Sequence, residues 1–175
     1  MDNFHETLVT KRPSGSDTAK RIGIVIVGMF LAAVVFFFAF VLFPLNLVIA
    51  GGIMYGAYYL VSGLDTEYEY TVTNNEIDFD KISGRRSRKR LITADIKLFE
   101  NFGKISDAPE TPSDCTVVQV SDNTGENEYF ADFKHASLGN VRIIFTPDED
   151  MIGAIEPYLS GPLKNELKRR KLLEK

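Results

Sequence analysis

The chain has 175 residues, a formal net charge of −4 and a single cysteine, Cys115. The acidic balance gives no reason to expect nucleic-acid binding, and one cysteine excludes an internal disulfide framework and agrees with a reducing compartment. The sequence has no internal repeats and no low-complexity tract.

Residues 1–21 read as a short, flexible polar arm. Phe4 and Leu8 could share one side of a helical turn, but Pro13-Ser14-Gly15-Ser16 should break any helix. A cleaved signal peptide is the rival reading, because Lys20 and Arg21 precede an apolar run. The run is too long for a signal core, no small-residue cleavage site with a polar exit follows, and a second apolar run comes at once. The arm is expected to stay on.

Ile22 to Leu64 carries no Asp, Glu, Lys, Arg or His. As one helix it would run about 64 Å, about twice a hydrocarbon core. Pro44 lacks an amide hydrogen and Asn46 suits a polar turn, so the stretch divides at Phe43-Pro44-Leu45-Asn46. The spans are 22–43 and 45–64, each about 20 residues, the length of one crossing. Lys11, Arg12, Lys20 and Arg21 flank the first span and the Arg85–Arg90 run follows the second, while the connecting turn is uncharged. Cationic flanks stay inside, so both termini are expected in the cytoplasm. Tyr55, Tyr58 and Tyr59 suit an interfacial anchor on that side. Gly28-x-x-x-Ala32 and Gly52-x-x-x-Gly56 are small-residue patterns that let helices approach closely. Packing within one hairpin is the plain reading, and homodimerisation through the second span is the other. Neither span holds the charged residue that marks a transport pathway.

From Asp65 the period changes to two, opening a cytoplasmic domain over 65–160. Tyr68, Tyr70 and Val72 share one face of a strand, with Glu67, Glu69 and Thr71 on the other. Asn74-Asn75 read as a tight turn into Glu76–Ile82, with Ile77 and Phe79 inward. A third strand runs through Arg86–Ile92 after a turn at Gly84. A short apolar piece around Ile96–Phe102 and a polar loop from Ser106 to Asp114 follow. Further strands are expected at Thr116–Val120, Glu128–Lys134 and Val141–Thr146. A helix then opens with Thr146 as N-cap, Pro147 at its first position and Glu149 completing a capping box. Met151, Ile152, Ile155 and Leu159 form its buried stripe, and Pro157 and Gly161-Pro162 end it. Residues 161–175 read as a basic tail.

The expected fold is a membrane α-helical hairpin plus a mainly-β barrel or roll with a C-terminal capping helix. With Tyr68-Glu69-Tyr70-Thr71-Val72-Thr73-Asn74-Asn75-Glu76-Ile77-Asp78, the basic run ending Arg90-Leu91-Ile92, and Asp95-Ile96, the chain resembles bacterial membrane proteins that attach a pleckstrin-homology-like domain to a transmembrane hairpin. It is also similar over nearly its whole length to small two-span proteins of Gram-positive bacteria. In the wider family an apolar-Pro-Leu segment follows the basic strand. Here Leu91-Ile92-Thr93-Ala94-Asp95-Ile96 takes that place without the proline. The resemblance implies a fold and a membrane address, and it names no reaction.

No catalytic, cofactor or metal residues are expected. Cys115 and His135 lie in no nucleophile motif, and His5 and His135 make no metal set. Asp148-Glu149-Asp150 suit the first turn of a helix, and no phosphate-cradling glycine motif occurs. The candidate lipid- or partner-binding residues are Arg85, Arg86, Arg88, Lys89 and Arg90. On a strand Arg86, Arg88 and Arg90 point one way, with Arg85 and Lys89 opposite. The plain reading is a topology signal on a solvated strand. Docking on anionic headgroups, at about 1 kcal/mol per residue, is the functional one. The expected function is a non-enzymatic, membrane-anchored binding or scaffolding module, with membrane lipid and an unidentified protein as partners. An accessory subunit of an integral-membrane complex, such as a transporter, is the alternative.

Overall fold

The computed structural model describes residues 4–39, 41 and 43–173. Among them the chain forms two compact units: one runs up to Lys11 and takes in Glu67–Ile82 and the residues from Arg88 on, and the other joins Arg12–Thr66 to Ser83–Ser87.

The first unit is mainly β. Strands β1 (Phe4–Thr10), β2 (Thr66–Thr73), β3 (Glu76–Ser83) and β4 (Ser87–Asp95) form one sheet in that order. Strands β5 (Phe99–Lys104), β6 (Thr116–Gln119), β7 (Tyr129–His135) and β8 (Gly139–Phe145) form a second sheet, in the order β5-β7-β8-β6. Pairing is antiparallel for β5–β7 and β7–β8, and parallel for β6–β8. Helices α3 (Glu149–Ile155) and α4 (Gly161–Leu173) follow the second sheet.

Alternation in β2 and β3 sends Tyr68, Tyr70, Val72, Ile77 and Phe79 into the core, as the period-two pattern predicts. Tyr70, Phe79 and Phe145 meet edge to face with ring centroids 5.2–5.8 Å apart, the preferred aromatic geometry. The Tyr70 hydroxyl donates to the Val120 carbonyl at 2.5 Å, so the buried phenol keeps a partner. Burial pushes its pKa well up, which keeps it neutral. Met151, Ile152, Ile155 and Leu159 close the core as expected, joined by Leu163 and Leu167 of α4.

Several expectations fail in instructive ways. The arm is a strand: β1 pairs antiparallel with β2 from Phe4↔Thr73 to Thr10↔Glu67. Its side chains alternate between exposed and half-buried, so the backbone ladder carries much of the pairing. Thr7 donates to Asp148 Oδ2 at 2.7 Å, and His5 Nε2 lies 3.3 Å from Asp148 Oδ1. Asp148, and not Thr146, caps α3, accepting from the Met151 amide at 2.6 Å. Thr146 instead hydrogen-bonds Asp122, through its amide and its carboxylate, while aspartate makes the stronger cap. Burial of Asp148 opposes ionisation, but hydrogen bonds from Thr7 and Met151 and the nearby His5 outweigh it and hold the carboxyl low. Gly161-Pro162 begins α4 and does not simply end α3, because a proline in the first turn removes no intrahelical hydrogen bond.

The second unit holds α1 (Gly15–Phe38) and α2 (Leu45–Gly63), both long and apolar enough to cross a membrane. Helix α1 starts well before Ile22. Ser14 and Asp17 form a reciprocal capping box, with both bonds at 3.2 Å, which turns the expected breaker into a start signal. Phe40 and Leu42, read as part of the first span, lie outside the described residues. Arg21 pairs with Asp65 at 2.7 Å and joins the two ends of the hairpin. At its turn, Asn46 is buried and donates to the Phe36 carbonyl at 3.3 Å.

The glycine pattern also needs correction. A Cβ on Gly28 would come within 2.8 Å of the Ala57 Cβ, so Gly28 is the point of closest approach. Gly52 and Gly56 would meet nothing within 4 Å. Ala57, one position past Gly56, makes the contact, and Ala32 is half-buried.

Candidate binding surface of the basic segment

The turn between β3 and β4 divides the basic run. Gly84 and Arg85 both take φ of +57°, and the Arg86 amide returns to the Ser83 carbonyl at 3.1 Å. That is the primed two-residue hairpin turn, which suits glycine. Gly84 is required on a second ground: a Cβ there would sit 2.9 Å from both Gly63 Cα and the Ser62 carbonyl oxygen at the end of α2. Its amide donates to the Asp65 carbonyl at 2.7 Å.

Arg86 lies over the Tyr59 ring, 3.8 Å from its centroid, and donates to the Tyr59 carbonyl at 3.2 Å and to the Ser62 hydroxyl. A cation at the end of α2 meets the negative pole of the helix, so Arg86 acts as a cap. Tyr59, read from sequence as a membrane anchor, here supports an arginine.

Arg88 and Arg90 are engaged on the sheet. Arg88 donates to Asp80 at 2.8 Å and to Glu69. Arg90 donates to Asp80 at 2.9 Å and lies 2.9 Å from Asp78. Asp78 also accepts from the Thr93 hydroxyl at 2.5 Å. Asp80 and Glu69 are buried, whereas each arginine side chain is about half exposed (52%). The Arg90 hydrogen bond, opposed by burial and helped by Arg88, holds the Asp80 carboxyl below the ordinary aspartate range. Three carboxylates therefore face two guanidiniums. Lys89 is exposed and has no ion-pair partner among the described residues, and Arg85 is exposed on the turn.

The strand therefore does not present Arg86, Arg88 and Arg90 as one cationic row. Arg86 belongs to the hairpin unit, and the other two serve a cross-strand charge network. Sequence reading missed the carboxylate partners, although the signal was there. Asp78 and Asp80 on one arm of a hairpin can face Arg88 and Arg90 on the other once the Gly84 turn sets the pairing.

A further ion pair lies on the other sheet. Arg142, 3% exposed, grips Asp132 through two hydrogen bonds of 2.6 and 2.8 Å. It also donates to the Pro109 carbonyl and the Thr111 hydroxyl, at 2.7 and 2.8 Å, and so fastens the loop after β5. Burial and the nearby Asp132 push the Cys115 thiol up, the wrong direction for a nucleophile. His135 Nδ1 is hydrogen-bonded by Ser137. Among the described residues no group of three or more His, Cys, Asp and Glu side chains is placed to hold a metal ion.

Two apolar helices followed by two packed sheets and C-terminal helices define a pleckstrin-homology-like domain joined to a helical hairpin. The chain matches the family described as bacterial PH-like domain (DUF6106) over residues 1–164, and it belongs to that family. No curated protein and no solved structure matches it. The match takes in β1 and both helices as well as the sheets, and a PH-like domain suggests a binding or scaffolding module.

Because Thr10 faces Glu67, an Asn-Gly turn replacing residues 11–66 should close β1 on β2 and give a soluble domain. In that variant Asp80→Asn should cost about 1–3 kcal/mol at neutral pH. A depressed folded pKa makes the carboxylate's contribution complete above the ordinary value of about 3.9. It is lost as pH falls through the folded value. The stability gap between parent and Asp80→Asn, followed by urea unfolding, should therefore hold from pH 7 to 5 and close in stronger acid. A gap that is absent at pH 7 would remove the network from the fold's energetics.

Proposed function

We propose that the chain is a non-enzymatic, membrane-anchored binding or scaffolding module with both termini in the cytoplasm. The observation that carries this reading is the pairing of β1 with β2 across an inserted apolar hairpin. Strands that share a sheet emerge on one side of the membrane, so the segments before α1 and after α2 belong to the same compartment. The cations Lys11, Arg12, Lys20 and Arg21 flank α1 on that side, and the hairpin turn carries none, which favours the cytoplasm. Hydrogen-bonded His135, a Cys115 thiol pushed up and a neutral Tyr70 support a role in binding over one in catalysis.

Membrane lipid and a protein are the proposed partners. With Arg88 and Arg90 held by carboxylates, the lipid-facing part of the strand rests on Lys89. One cation makes a weak docking contact, on the order of 1 kcal/mol near an anionic leaflet. The hairpin supplies the anchor and keeps that weak contact at high effective concentration.

A reporter fused after Lys175 should be active only as a cytoplasmic reporter. Alkaline phosphatase activity there would overturn the topology. The Asn-Gly variant should float weakly with anionic vesicles at low salt and lose that binding with Lys89→Glu. Raising salt should weaken it as the Debye length falls below about 10 Å. If the variant never floats, headgroup docking is wrong and a protein partner is what the surface serves.

A further inference from the structure

Helices α1 and α2 touch closely at Gly28 and Ala57, and beside that contact they leave a crevice of about 640 Å³. Gly23, Val27 and Leu31 of α1 and Gly56 and Leu60 of α2 help to line it, with Lys20 at one end. Every lining residue except Lys20 is apolar or glycine. The volume and the single polar group are those of a small-molecule site. Gly56 contributes by what it lacks: a Cβ there would meet nothing within 4 Å, so the missing side chain is part of the space.

Lys20 decides what fits. It stands two residues before Ile22, where the uncharged apolar stretch opens, and so at the end of the span that would meet headgroups. Its neighbour Arg21 is paired with Asp65, whereas Lys20 is exposed and has no ion-pair partner among the described residues. A parallel helix from a second copy would bring that copy's Lys20 to the same depth, and like charges would oppose the fit. An anionic amphiphile meets the lysine with opposite charge and the crevice with hydrocarbon.

We propose that this crevice holds an acyl chain of one anionic phospholipid from the cytoplasmic leaflet, with its phosphate at Lys20. The inference rests on the membrane-anchored reading of the hairpin. Binding is apolar along the helices and electrostatic only at the lip, so the two parts separate by substitution. Lys20→Gln removes the preference for an anionic head, and Gly56→Leu fills the space for the chain. Gly51→Leu makes the same change on the same helix at a residue that also meets nothing within 4 Å but does not line the crevice.

The test uses the full chain in mild detergent, mixed with equal amounts of phosphatidylglycerol and phosphatidylcholine and followed by native mass spectrometry. Wild type and Gly51→Leu should each retain one phospholipid per chain, chiefly phosphatidylglycerol. Lys20→Gln should lower that preference about fivefold, the effect of one cation at an anionic surface. Gly56→Leu should retain none. A wild type without lipid, a Gly56→Leu variant that holds as much as wild type, or a lipid-free dimer would overturn the proposal. Alkaline washing of membranes distinguishes the two levels. A chain that stays in the membrane but retains no lipid refutes only the lipid site. A chain that washes off refutes the anchor and the site together.

Discussion

The backbone ladder between β1 and β2 is the constraint on which the rest of the molecule depends. Seven residue pairs join Phe4–Thr10 to Glu67–Thr73, and the whole apolar hairpin lies between them in the chain. The two apolar helices are thus inserted between the first two strands of the sheet. The sheet's first strand comes before the insertion and its second after it, so the two ends of the hairpin must meet for the sheet to form. Asp148 reinforces the arrangement, because one carboxylate caps α3 and also accepts from Thr7 of β1.

Charge serves architecture before it serves recognition. Burial of Glu69 and Asp80 and partial burial of Asp78 are offset by the guanidiniums of Arg88 and Arg90, with the Thr93 hydroxyl also on Asp78. Arg86 stabilises the end of α2 in the other unit, and Arg142 fastens a loop on the second sheet. A run of cations in sequence is therefore a poor measure of cationic surface: Lys89 shares the run with residues that are already committed.

What was legible in the sequence follows from the range of the signal. The absence of charge from Ile22 to Leu64 and the alternation of Tyr68, Tyr70, Val72, Ile77 and Phe79 are local patterns with one physical cause each, and they identify the hairpin and the core strands. Strand β1 was not legible, because its apolar Phe4 and Leu8 point outward and its partner lies beyond the entire apolar stretch. The cap of α3 moved from Thr146 to Asp148 because both residues can cap and only tertiary partners decide. Small-residue spacing singled out Gly28, Ala32, Gly52 and Gly56. It could not say which of two neighbouring small residues faces the other helix, and the contact falls to Ala57. In the candidate site, Arg85 to Arg90 were found as cations, but their engagement depends on carboxylates brought in by the β3–β4 pairing.

The most direct test of the account is a disulfide across the β1–β2 ladder in the intact membrane protein. Glu6 faces Thr71, and paired strands hold opposed Cα atoms about 4.5–5.5 Å apart, within the range a disulfide spans. With Cys115 replaced by serine, Glu6→Cys and Thr71→Cys should cross-link within one chain under mild oxidation. Thr10→Cys with Thr71→Cys, four positions out of register, should not. Failure of the matched pair, or cross-links formed only between chains, would contradict the insertion of the hairpin into a single sheet.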